Sequence, residues 1–445
     1  MYHIFGDTMN EKYRAVNIIT DIYLILIFSV FPLFFTNQYA NIRHDKYYFF
    51  LICSSLYILS CLTVLFLFGG FRQLRGFNIT DAAFLSLIIV FSISTLLSDS
   101  PYESFFGTLG RNNGLLLYLV LFAVYLAVSR MYRRGDYVFI AFAVACAIVF
   151  MLCILNRFGF DPLKMYEGYT DYVRNDFTST IGNKNIMSCY CCLTAPTFFA
   201  LFINRKNTVR YLYLFISIIG IIAFLCSDSS GGYLGIVPVF AGITLYLLRK
   251  KGFKKLFWIF LGIIALAVLV SAVLLIYYTF FDTRTQLNGF TMFFRFNEKW
   301  GTHRGYMWIK SAEIFAGFDI KSILFGCGPD RFYAAFAPFF EELSSRYGDI
   351  TTNCAHNEFL NYLITTGILG LASYLFLFGS AVARALKNAV KAPEALVFIV
   401  PIISYLLQSV VNIATPITTP LLFIFLALSE SQTVGVGYSK KDMLL

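Results

Sequence analysis

Long apolar blocks alternate with short polar breaks along all 445 residues of the chain. A helix must present roughly 20 apolar residues to cross the hydrocarbon core of a bilayer. Twelve blocks approach that length: 16–35, 47–68, 80–97, 114–129, 137–155, 186–203, 211–226, 233–248, 256–280, 358–382, 396–413 and 416–430. The pattern predicts an all-α polytopic membrane protein of about twelve transmembrane helices, a single integral membrane domain over 1–445. One polar stretch, 282–357, is far longer than the others, and loops of that length are usually functional or separately folded. Within it Trp308, Ala312 and Phe315 recur at helical spacing. That spacing predicts an amphipathic helix over 302–315 lying on the membrane surface.

Composition adds the environment. The chain is 58% hydrophobic and only 13% charged, about half the charged share of soluble domains. Its net charge of +10 does not form a nucleic-acid face, because the cations cluster between apolar blocks. With both termini cytoplasmic, the inner side holds Lys12, Arg14, Arg72, Arg75, Arg130, Arg133, Arg134, Arg205, Lys206 and Arg210. It also holds Arg249, Lys250, Lys251, Lys254, Lys255, Arg384, Lys387, Lys391, Lys440 and Lys441. Every inner loop is then short and basic, as the positive-inside rule requires. The outer side receives 98–113, 156–185, 227–232 and the long loop 282–357. Residues 1–14 are polar and the first apolar block lacks a small-residue cleavage site, so no cleavable signal peptide is expected.

Eight of the ten cysteines, Cys53, Cys61, Cys146, Cys153, Cys189, Cys191, Cys192 and Cys226, fall in or beside apolar blocks and read as small hydrophobes. Their spacing suits no metal. Cys327 and Cys354 share the long outer loop, where a pairing is open to them. The sequence has no phosphate-cradling Gly-Lys loop and no Asp-rich magnesium motif, which argues against nucleotide-driven chemistry.

The polar groups at the outer ends of the spans carry the candidate chemistry. His356, in AHNEFLNYL, stands just before the tenth span, where Asn357 and Glu358 are placed to cap the helix. By spacing alone His356 reads equally as an interfacial polar residue and as a group for proton transfer near neutral pH. His44 and His303 are its rivals on that face. Arg304, in GTHRGYMW, reads by itself as an arginine snorkelling beside Trp308. Arg111 lies in SDSPYESFFGTLGRNNGLL, a stretch rich in turn formers and exposed backbone N–H groups. It reads equally as part of a plain turn. Two arginines with such donors suit a diphosphate, and TIGNKN, with Asn183 and Asn185, offers similar groups.

Taken in order, SDSPYESFFGTLGRNNGLL, TIGNKN, CSDSSGGYLG, HRGYMW, LFGCGPDRF and AHNEFLNYL resemble the O-antigen ligase and O-antigen polymerase family of bacterial membrane glycosyltransferases. The resemblance runs from about Ser98 to the tenth span. It implies a lipid-linked donor, usually an undecaprenyl diphosphate-linked glycan, transferred to a glycan acceptor hydroxyl on the outer face of the cytoplasmic (inner) membrane. It also implies no metal and no nucleotide cofactor. The family's loop arginine looks like Arg304, and its histidine looks like His356. His356 would then act as general base or orienting partner for the acceptor hydroxyl, and Arg304 would stabilise the diphosphate leaving group. Arg111, Asn183, Asn185, Ser230 and Asn357 would line the substrate. Ligases of the family usually carry Ser-Arg-Gly before the eighth span, where this chain has Ser229, Ser230 and Gly231. Ser230 replaces the arginine, which turns the expectation toward a polymerase of O-antigen, capsule or exopolysaccharide.

Two other classes compete. A lipid-linked glycan flippase or other transporter would place charges deep in its spans, yet here only Asp21 and Asp81 approach the spans from inside. A polytopic structural protein would have no use for the outer motifs.

Overall fold

Uninterrupted runs of Leu, Ile, Val and Phe satisfy their backbone polar groups internally only as helices when no water is present. The computed structural model, which describes residues 15–38, 40–68, 76–133, 135–282, 289–348, 352–389 and 392–434, is accordingly almost all helix. Residues 1–14 and the cations Lys12, Arg14, Arg72, Arg75, Arg134, Lys391, Lys440 and Lys441 lie outside the described residues.

Eight helices among the described residues are long and apolar enough to cross a membrane, rather than the twelve expected. They are α2 (Ile42–Phe68), α3 (Ile79–Leu97), α6 (Asp136–Arg157), α8 (Lys184–Asn204) and α10 (Tyr233–Lys250), then α11 (Lys254–Ile276), α17 (Glu358–Asn388) and α18 (Pro393–Gln408). The other four blocks also fold as helices but are shorter: α1 (Ala15–Val30), α5 (Leu115–Met131), α9 (Arg210–Cys226) and α19 (Thr419–Val434). Helix α19 is buried along nearly its whole length, packed by α5, α17 and α18. A helix surrounded by protein meets side chains instead of lipid, so bilayer thickness does not set its length. Helix α11 is the opposite case, an apolar helix with no buried residue.

Close packing and not water exclusion holds helices together in lipid. Phe423 of α19 contacts Phe84, Tyr118 and Phe378 from three neighbouring helices, each such pair contributing about 0.5–1.5 kcal/mol beyond its area. At the ends of the helices away from His356, buried charges are paired. Asp81 meets Arg130 at 3.2 Å, Glu430 meets Arg384 at 3.2 Å, and Arg205 bridges Asp136 and Glu394. Unpaired, each would be costly in such surroundings.

Between α3 and α5 lies the short helix α4 (Pro101–Phe106), and before α8 come the helix α7 (Asp171–Asp176) and the two-residue strands β1 (Phe177–Thr178) and β2 (Gly182–Asn183). The long loop folds as α12 (Gly289–Phe294), α13 (Trp300–Ala316), α14 (Ile320–Phe325), α15 (Phe332–Phe336) and α16 (Phe340–Tyr347). These build a small core of their own from Tyr306, Met307, Phe332, Phe336 and Leu343, closed by Ile364 of α17. The expected helix at 302–315 is therefore present, but it buries Tyr306, Met307 and Ser311 while Ala312 stays exposed. Its regular turns begin only at Arg304.

Candidate functional site

Helix α17 breaks at Gly367, whose φ of 69° is open to glycine and costly for other residues. The break frees carbonyls inside the helix. Those of Ile364 and Thr365 accept the amides of Cys327 and Gly328 at 3.1 and 2.9 Å. Backbone meets backbone so closely there that a Cβ on Gly326 would lie 2.3 Å from Thr365. This crossing pins the turn carrying Asp330 against the span that follows His356.

Asp330 gathers the loop before α5. Its carboxylate accepts from the Thr108 amide at 2.9 Å, the Asn113 amide at 3.1 Å, the Thr108 hydroxyl, and Arg111 Nε at 2.9 Å. Arg111, only 4% exposed, also donates to Asn353 Oδ1 at 3.2 Å. The resemblance implied an Arg111 that lines the substrate. The structure joins it to Asp330 in a buried pair, with Asn113 continuing to the Ala414 carbonyl at 2.8 Å.

Arg304 is delivered by an unusual turn. Gly301, Thr302 and His303 adopt left-handed φ values of 60°, 61° and 70° in succession, and such backbone is costly for Thr and His. The chain doubles back so tightly that a Cβ on Gly305 would meet the Asn297 carbonyl at 1.9 Å. The ring of His303 packs on Tyr347, and that of His44 on Tyr48. Arg304 itself is half-buried and has no carboxylate partner among the described residues. Burial lowers the readiness of its guanidinium to stay charged, and Cys354 opposes that.

The segment before α17 brings the pieces together. Trp308 Nε1 donates to the Ala355 carbonyl at 3.0 Å. Asn357 caps α17 as expected, accepting the Leu360 amide at 3.0 Å. Glu358 does not cap. It is buried and accepts the hydroxyls of Tyr374 and Tyr405 at 2.7 and 2.9 Å. A cavity of about 20 Å³, room for a single water, separates it from Arg111, Asp330 and Asn113. His356 has a φ of 48°, and Cys354 beside it is 1% exposed. Cys354 and Cys327 are both free thiols, so they do not pair. Their surroundings pull them apart: burial pushes the Cys327 thiol up to about 12. Burial acts on Cys354 in the same sense, but His356 and Arg111 outweigh it and draw that thiol down to about 6.

Asn183, Asn185 and Ser230 form a second group. Asn183 caps α8 through the Asn185 amide at 2.8 Å. Asn185 accepts the Ser229 hydroxyl at 2.8 Å and, through its carbonyl, the amide of Asn412 at 3.1 Å. Ser230 is exposed beside them. The turn between α18 and α19 links the groups, since Asn412 touches Asn185 and Ala414 touches Asn113.

Sequence reasoning passed over Asp330, Cys354, Asn353 and Asn412 as functional groups. Cys354 alone left a signal, its position two residues before His356. Among the described residues no three His, Cys, Asp or Glu are grouped to hold a metal ion. No curated protein matches the chain. Residues 194–375, the stretch carrying Ser230, Arg304, His356 and Asn357, match the family model described as O-antigen ligase.

Proposed function

We propose that the chain is a metal-independent membrane glycosyltransferase of polysaccharide assembly. It transfers a polyprenyl diphosphate-linked glycan to an acceptor sugar hydroxyl on the outer face of the bacterial cytoplasmic membrane. Polymerisation of an O-antigen, capsule or exopolysaccharide is the first reaction to assay, and ligase-like transfer the second. The observation that carries this reading is Arg304, a half-buried cation without a carboxylate partner among the described residues, tied to the segment of His356 through Trp308.

In the reaction, the acceptor oxygen bonds to the anomeric carbon of the donor sugar while the bond from that carbon to the diphosphate oxygen breaks. The bonding pair leaves on the diphosphate, where Arg304 meets the growing charge. The hydroxyl proton passes to a ring nitrogen of His356. Arg111 holds the adjoining turn through Asp330 and lends positive field, while Asn183, Asn185, Ser230 and Asn357 supply hydrogen bonds to the sugars.

The test is reconstitution in liposomes with an undecaprenyl diphosphate-linked glycan. A ladder of lengthened glycans identifies a polymerase, and a single addition to an acceptor glycolipid identifies a ligase. Movement of the donor across the bilayer with no new glycosidic bond would replace this reading with a flippase.

A further inference from the structure

We infer that Glu298 and Tyr347 are positioning residues for Arg304: together they hold the left-handed turn along which the arginine stem lies. The inference rests on the proposed transfer reaction, in which Arg304 meets the charge growing on the diphosphate.

The turn touches the arginine directly. A Cβ on Gly301 would stand 3.3 Å from Cδ and 3.4 Å from Cβ of Arg304, so the stem runs against the Gly301 backbone. Where the guanidinium sits therefore depends on the left-handed run at Gly301, Thr302 and His303. Thr and His disfavour such backbone, and it persists only where the surroundings over-determine it. Glu298 and Tyr347 supply that constraint from two elements. Tyr347 ends α16, and its hydroxyl donates to the Glu298 carboxylate at 2.8 Å. Its ring packs on His303 with the centroids 4.3 Å apart. One tyrosine thus reaches the residue that leads into the turn and the residue that ends it. The Glu298 carbonyl accepts the Tyr306 amide at 3.0 Å, which closes the chain around Arg304 from the other side. Arg346 also meets the Glu298 carboxylate, at 3.1 Å, but both side chains are half-exposed. Ion pairs of that kind contribute little. The Tyr347 hydroxyl is the contact that fixes the turn.

The test measures kcat and donor KM in the liposome assay for Glu298→Ala, Glu298→Gln and Tyr347→Phe, each per amount of folded protein. Misplacing a reacting group by about 1 Å can cost about 100-fold in rate, so Glu298→Ala should lower kcat about 10- to 100-fold with donor KM within about threefold. Glu298→Gln keeps an oxygen that accepts the Tyr347 hydroxyl and should recover most of that loss. Tyr347→Phe keeps the ring on His303 and removes the hydroxyl alone, so it decides the question if Glu298→Ala does not fold. Its kcat should fall about threefold or more, as expected for one lost hydrogen bond. Arg304→Lys gives the background that separates positioning from general stability. There Glu298→Ala should cost less than about twofold more, because changes acting through one partner do not add. A full second loss in that background overturns the inference, as does wild-type kcat per folded protein in Glu298→Ala or, where that variant does not fold, in Tyr347→Phe. Arg304→Ala separates the two levels. If it keeps the wild-type rate, the transfer reading fails. If it is inactive while Glu298→Ala and Tyr347→Phe turn over normally, only this inference fails.

Discussion

Trp308 donates its indole N–H to the carbonyl oxygen of Ala355 at 3.0 Å. Trp308 stands one helical turn beyond Arg304, and Ala355 immediately precedes His356. This hydrogen bond links the helix bearing Arg304 to the turn bearing His356, across the long loop. Trp308→Phe keeps an aromatic ring against Phe296 and Trp300 and removes the donor. A hydrogen bond of this kind contributes about 0.5–1.5 kcal/mol, so kcat for glycan transfer should fall roughly 2- to 10-fold while protein level holds. An unchanged rate would show that the two segments are registered by other contacts.

His356→Ala should abolish transfer with normal insertion. General acid–base groups contribute about 100- to 10,000-fold, and lipid-linked donor turnover in membranes measures this. Activity within a fewfold of wild type would reduce His356 to a residue at the start of a span.

Asp330→Ala leaves Arg111 buried without its carboxylate. Removing one partner of a buried pair costs about 3–5 kcal/mol, so thermal unfolding in detergent should occur at clearly lower temperature. Arg111→Ala alone should cost less stability than Asp330→Ala, because Asp330 keeps its three donors from Thr108 and Asn113. Equal losses would mean that the ion pair, not the gathering of the loop, is what Asp330 contributes.

The Cys354 thiol gives a pH dependence with a definite sign. Its folded value of about 6 lies below the ordinary value of 9.0. The stabilisation is therefore full above about pH 9, shrinks as pH falls toward 6, and is absent below it. The melting midpoint of the wild type should rise over that window. Cys354→Ser should flatten the rise, and an equally steep rise in the variant would assign it to another group.

Orientation is open to direct measurement. Reporter fusions at Lys251 and Lys387 should read cytoplasmic and one near Asp319 external, because the predicted inner loops concentrate Lys and Arg. An external signal at Lys251 would invert the molecule and place His356 on the wrong face for a lipid-linked donor used outside.

The sequence by itself determined the environment, the helical class and the positions of the helices, because apolar runs in lipid have one backbone solution. It also marked the cap at Asn357, since an Asn before an apolar run is a helix start, while Arg304 and His356 stood out through the family resemblance and not through their local pattern. Span number was less legible. Block length shows how much apolar chain there is, not whether lipid or protein surrounds it, and α19 is enclosed by protein. Tertiary structure alone decided the rest. Arg111 and Asp330 are more than two hundred residues apart, as are Asn113 and Ala414, and no local pattern relates such pairs. The crossing at Gly326 and Gly367 depends on two backbones meeting without side chains between them. For Cys354 the sequence left a disulfide open, because it shows a shared loop and not a neighbour. The pull of Arg111 on its thiol, from a loop more than two hundred residues away, exists only once the chain has folded.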